Sequence, residues 1–119
     1  MANSSIGYEA FLREKIRLAP LSGFECEAHE VNPLLKPHQR DIVQWAVRGG
    51  SRAIFAAFGL GKTFMQIESV RLLRARAGGK ALIICPLGVR QEFRRDGARL
   101  GVAVATRRKR TDWNRSMNV

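Results

Sequence analysis

The stretch Ala56-Ala57-Phe58-Gly59-Leu60-Gly61-Lys62-Thr63 constrains this chain more than any other. It lies between an apolar, partly β-branched and aromatic run (Ala53-Ile54-Phe55) and a helix-forming run that starts at Phe64. That is the strand, glycine loop, helix context in which a phosphate-binding loop works. Gly59 and Gly61 allow backbone dihedrals that a Cβ would penalise, so that N–H groups can turn inward toward an anion. Lys62 is placed to reach terminal phosphates as a point charge, and the Thr63 hydroxyl is a ligand for Mg²⁺. A helix beginning here would also direct the positive end of its dipole at the anion. The strict pattern has glycine at the first position, where this chain has Ala56. The bland alternative is a glycine-rich turn without a ligand.

At 119 residues the chain is long enough for one domain with a single core. No apolar run approaches the ~20 residues of a membrane span, and the N-terminus lacks a signal-peptide apolar core, so no membrane association is expected. Cys26 and Cys85 do not make a disulfide framework; Cys85 closes an apolar run and reads as a buried thiol in a cytoplasmic chain. Cys26 and His29 have ligand-like spacing, but no second pair completes a zinc site.

The formal net charge is +11 and is unevenly placed. Residues 1–30 are net acidic, whereas residues 31–106 carry thirteen basic and four acidic side chains, and residues 107–119 five basic and one acidic. A polyanion is the natural partner for such an excess, nucleic acid being the commonest. General solubility is the alternative, since charge alone carries no specificity.

Residues 6–18 put Tyr8, Phe11, Leu12 and Ile16 at helical spacing, with Ser5 as a cap, ending at Ala19-Pro20. Residues 20–36 read as a connecting loop. Pro37 suits a first helical turn, and a helix from there through Val47 carries Ile42, Val43, Ala46 and Val47 as one stripe. Strands are expected at Arg52–Ala57, Lys80–Cys85 and Val102–Ala105, with helices from Lys62 to about Ala77 and from about Gly88 to Leu100. The alternation of strand and helix predicts an α/β fold: an open parallel sheet with right-handed crossovers and helices on both faces. The division expected is an N-terminal helix and loop (1–32), a nucleotide-binding region (33–106) and a basic, disordered tail (107–119).

Three blocks together resemble the first lobe of superfamily 2 helicases, especially the chromatin-remodeller-like branch and its phage relatives. The first is Leu35-Lys36-Pro37-His38-Gln39-Arg40-Asp41-Ile42-Val43-Gln44-Trp45, the second Phe58-Gly59-Leu60-Gly61-Lys62-Thr63, the third Ala81-Leu82-Ile83-Ile84-Cys85-Pro86-Leu87 followed by Val89, Phe93 and Asp96. The resemblance covers roughly residues 33–100 and implies a P-loop NTPase of RecA-like fold, truncated, whose C-terminal helicase lobe is missing. It implies ATP and Mg²⁺ as cofactors, with Gln39 recognising adenine, Phe58, Gly59, Leu60, Gly61, Lys62 and Thr63 holding the phosphates, and Lys62 in the catalytic role. It also implies that Pro86, Leu87, Gly88 and Arg90 contact the backbone of a nucleic acid, DNA ahead of RNA. The family usually has Ser or Thr where this chain has Gly88, which leaves a backbone N–H for that contact. Trp45 and Phe93 are expected in the core rather than as base-stacking platforms, and His38 as a helix-start residue.

Phosphoryl transfer to water also needs carboxylates that hold Mg²⁺ and orient the nucleophile. After Thr63 the acidic residues are Glu68, Glu92, Asp96 and Asp112, and no Asp-Glu pair ends an apolar run. The expected function is therefore the ATP-binding part of a nucleic-acid-dependent ATPase or DNA helicase, without turnover on its own. The alternatives are a small standalone P-loop phosphotransferase and a non-enzymatic basic nucleic-acid-binding module.

Overall fold

The computed structural model describes residues 3–15 and 21–106. The expected helix stop at Ala19-Pro20 and the basic tail lie outside the described residues. Four α-helices are formed: α1 (Asn3–Lys15), α2 (Pro37–Gly49), α3 (Lys62–Ala77) and α4 (Arg90–Arg99). Short 3₁₀ turns occupy Ala28–Glu30 and Leu87–Val89.

Helix α2 begins where its sequence predicts. Pro37 takes the first turn, where a missing N–H costs nothing. The Gln39 carboxamide oxygen accepts the Lys36 N–H at 2.9 Å, one half of a capping box. Val43 and Val47 are buried along one stripe and Ile42 packs beside them. The C-terminal carbonyls of α2 are satisfied by the incoming loop: the N–H groups of Ser22, Gly23 and Phe24 donate to the carbonyls of Gly49, Arg48 and Val47. A Cβ on Gly23 would overlap the Val47 carbonyl oxygen, so this close approach requires glycine there.

Helix α3 packs against both α2 and α4. It therefore buries more than one stripe. Met65, Glu68 and Leu72 lie on one side, and Ile67 sits roughly 100° round the helix from Glu68. Phe93 and Leu100 close the core from the α4 side, joined by Leu35, Val31 and Cys26. Each fully buried side chain of this set contributes about 1.5–3 kcal/mol relative to exposure.

The expected parallel sheet is not formed: among the described residues there is no strand. The three apolar runs are present, and their burial alternates with the period of a strand. Arg52, Ile54 and Ala56 are half-buried while Ala53, Phe55 and Ala57 are exposed; Ile83 and Cys85 alternate with Leu82 and Ile84, and Val102 and Val104 with Ala103 and Ala105. The inward residues Ile54, Ile83, Cys85, Val102 and Val104 pack on the helical core. The outward ones are bare, with Phe55 96% and Ile84 91% exposed. No ladder hydrogen bond joins one run to another among the described residues. The physical reason is that an apolar run specifies a side to bury, whereas a strand also needs a hydrogen-bonded neighbour. The runs satisfy the first condition against one layer of helices and not the second. Cys85 is accordingly half-buried rather than buried.

Candidate functional site

The loop that precedes α3 adopts the backbone expected of its glycines. Gly59 (φ +79°) and Gly61 (φ +74°) both have the left-handed sign that residues with a Cβ rarely adopt, and no described non-glycine residue has positive φ. At Gly61 there is a second restriction, since a Cβ would overlap the amide nitrogen of Gln39. The helix starts at Lys62, and the Met65 N–H is the first to find its helical partner, the Gly61 carbonyl. The N–H groups before it belong to the unsatisfied end of the helix, which favours an anion.

Gln39 and the loop are brought together from 21 residues apart. The Gln39 amide donates to the Leu60 carbonyl at 3.0 Å while its oxygen holds the Lys36 N–H, and the side chain is only 7% exposed. One carboxamide thus caps α2 and braces the glycine loop. It retains one further N–H and one further lone pair for a ligand.

Lys62 folds back over the loop. Its Nζ donates to the Ala56 carbonyl at 2.9 Å and lies 5.2 Å from the centre of the exposed Phe58 ring. Thr63 is half-buried beside it, and Leu60 is exposed. Lys62 also lines a hollow of about 160 Å³ with Arg52, Ile54 and Gln66. Sequence reasoning missed Arg52 and Gln66. The available signal was spacing, since Arg52 shares the inward register with Ile54 and Ala56, and Gln66 lies one turn after Lys62.

The residues present fit the phosphates of a nucleotide: two left-handed glycines, a helix N-terminus and a lysine meet there. For Mg²⁺ only the Thr63 hydroxyl was expected, and no group of three or more His, Cys, Asp or Glu side chains suited to a metal occurs among the described residues. Glu68, the acidic residue closest in sequence to the loop on α3, is committed elsewhere. It is fully buried (0% exposed) and accepts Arg71 Nη2 at 2.6 Å, Arg71 Nε at 3.0 Å and the Asn32 N–H at 2.9 Å. Donating to the Glu68 carboxylate raises the Arg71 guanidinium above its ordinary value.

The turn expected to meet nucleic acid is on the surface. Pro86, Leu87 and Gly88 are exposed, and Arg90 is half-buried. The hydrogen bonds of this turn are internal, Val89 N–H to the Pro86 carbonyl and Arg90 Nε to the Leu87 carbonyl at 3.3 Å. No bond joins it to the glycine loop among the described residues. Phe93 is in the core as expected. Trp45 is not: its ring is 50% exposed and carries the Arg52 guanidinium 5.3 Å from its centre. The helical stripe places Val43 and Val47 inward, which turns position 45 outward.

Comparison with known protein families, with curated proteins and with solved structures gives no match to this chain. No helix among the described residues is long and apolar enough to cross a membrane.

Proposed function

We propose that this chain binds ATP with Mg²⁺ through the loop Ala56–Thr63 and is the ATP-binding part of a nucleic-acid-dependent ATPase, acting on DNA in the cytoplasm. The observation that carries the reading is the loop itself. Gly59 and Gly61 take left-handed dihedrals immediately before a sixteen-residue helix that begins at Lys62, and the buried Gln39 amide fixes the Leu60 carbonyl behind them. Nucleic acid as the partner is supported by the basic excess of residues 31–106. Binding without turnover is supported by the commitments of two of the carboxylates that follow the loop: Glu68 is locked to Arg71 and Asn32, and Asp96 is buried on α4 beside Arg95.

The test is calorimetric titration of the full chain with Mg-ATP, beside Lys62→Ala, with and without a DNA duplex at two salt concentrations. Saturable Mg-ATP binding that Lys62→Ala abolishes is expected, together with DNA binding that weakens as salt rises. Mg-ATP binding unchanged in Lys62→Ala would overturn the assignment of the loop. DNA-stimulated hydrolysis by the chain alone would overturn binding without turnover.

A further inference from the structure

The hollow beside the glycine loop has a composition that the loop alone does not explain. Its four lining residues are two cations, a carboxamide and an aliphatic side chain, with no carboxylate among them. Arg52 enters from the start of the inward-facing run Arg52, Ile54, Ala56, and Lys62 and Gln66 come from successive turns of α3.

Arg52 also differs from seven other described arginines. Arg40, Arg48, Arg71, Arg74, Arg76, Arg90 and Arg95 each donate to a carbonyl or carboxylate. The Nε of Arg52 is buried and has no hydrogen-bond partner, and it is the only such side-chain atom among the described residues. A buried donor without an acceptor is costly, and more so when it is charged. The guanidinium rests on Trp45, whose π face attracts a cation but offers no oxygen for a directed hydrogen bond. Space is kept for this arrangement at the end of α2, where a Cβ on Gly49 would overlap the Arg52 side chain.

We propose that Arg52 and Lys62, with the Gln66 amide, form a subsite for one tetrahedral phosphoryl group. A guanidinium presents donors in a fork that matches two oxygens of such a group, and an ammonium and an amide suit the others. The volume agrees. About 160 Å³ has room for one tetrahedral oxyanion. Two sources share this chemistry, the terminal phosphate of a bound nucleotide and free orthophosphate. The inference rests on the proposed nucleotide-binding role only for the first source. Filling the subsite draws the guanidinium off the Trp45 ring, so Trp45 reports occupancy.

The experiment uses the full chain with Trp113→Phe, leaving Trp45 as the sole tryptophan. Orthophosphate, Mg-ADP and Mg-ATP are titrated while Trp45 emission is followed, with calorimetry in parallel, for this parent and for Arg52→Ala, Arg52→Lys and Lys62→Ala. Thermal melts establish that each variant is folded. Orthophosphate and Mg-ATP are expected to change Trp45 emission saturably. Arg52→Ala should weaken both by about tenfold or more, the scale of one lost charge-assisted bond, and leave Mg-ADP within about twofold. Arg52→Lys should recover part of the loss. If Lys62→Ala abolishes Mg-ATP binding while Arg52→Ala binds Mg-ATP and orthophosphate like the parent, the subsite falls and the loop assignment stands. If orthophosphate binds in an Arg52-dependent way and no nucleotide binds, the loop assignment falls and the subsite stands. Equal weakening of Mg-ADP and Mg-ATP by Arg52→Ala would overturn the terminal-phosphate role.

Discussion

Replacing Glu68 by Gln should be the most damaging isosteric change in the helix that bears the glycine loop. Glu68 is wholly buried, and its two oxygens accept three donors: Arg71 Nη2, Arg71 Nε and the Asn32 N–H. Breaking a fully buried ion pair by changing one partner costs about 3–5 kcal/mol. Here the Arg71 side chain remains 35% exposed and also donates to the Glu30 carbonyl, so water and that carbonyl reduce the loss. The carboxamide still accepts one bond but turns an NH₂ toward a guanidinium. The net expectation is about 2–3 kcal/mol. Urea unfolding followed by Trp45 fluorescence in the Trp113→Phe background would measure it. At a slope of roughly 1.5 kcal/mol/M the midpoint should fall by about 1.3–2 M with the slope unchanged. Because the pair is shielded from solvent on the carboxylate side, added salt should not erase the difference. The double replacement Glu68→Leu with Arg71→Met removes both charges and should recover part of the loss, the remainder being the Asn32 N–H left without its acceptor. A Glu68→Gln midpoint within about 0.3 M of the parent, well under the predicted shift, would refute the claim that this carboxylate anchors α3 to the 21–36 loop.

Gln39→Ala removes the bonds to the Lys36 N–H and the Leu60 carbonyl, and should cost about 1–3 kcal/mol of stability. If bracing the loop is its main work, Mg-ATP and Mg-GTP affinities should drop together in a calorimetric titration, and a loss confined to Mg-ATP would instead make Gln39 a base reader. Glu30 is held below its ordinary value of 4.5 chiefly by the Glu27 N–H, with Arg76 adding to it. A lowered carboxyl stabilises the fold above its unfolded pKa and loses that contribution as pH falls through the folded value. Urea midpoints should therefore fall more steeply below about pH 4.5 in the parent than in Glu30→Gln, and identical acid limbs would contradict this.

The helices were legible because their signals are local. Pro37 and the Val43, Val47 stripe mark α2, and Lys62 through Ala77 follow directly from a glycine loop to a glycine stop at Gly78. The sheet was misread for an equally definite reason. The run Ala81–Cys85 contains only apolar residues, a pattern that predicts burial on both faces, yet only Ile83 and Cys85 meet the core while Leu82 and Ile84 face out. Apolar content reports a demand for burial and carries no information on hydrogen-bonded neighbours. The Glu68–Arg71–Asn32 network and the Gln39–Leu60 bond were equally hidden, since they join residues 36 and 21 positions apart. Trp45 failed differently. Its residue type suggested the core, but its position on α2 opposes the buried stripe, and the Arg52 cation gives the exposed ring a partner.

The loss of the expected sheet does not remove the argument for a phosphate site, because the loop takes its shape from other contacts. Its two turns are dihedral choices internal to Gly59 and Gly61. Its far end is the first turn of α3, whose position is fixed by Met65, Ile67 and Leu72 in the helical core. Its near side is held by Gln39 from α2, which is itself packed through Val43 and Val47. Only Ile54 and Ala56 of the preceding run reach that core. A strand ladder would add rigidity to the segment leading in, but it supplies none of the groups that meet an anion. These are the N–H groups at the start of α3, Lys62 and, across the hollow, Arg52. If this reasoning holds, substitutions on the outward face such as Phe55→Ser or Ile84→Ser should leave orthophosphate and Mg-ATP affinities within about twofold of the parent, because neither side chain touches the helical core that sets the loop. A larger loss from either would mean that the outward face, and a layer built on it, governs the site.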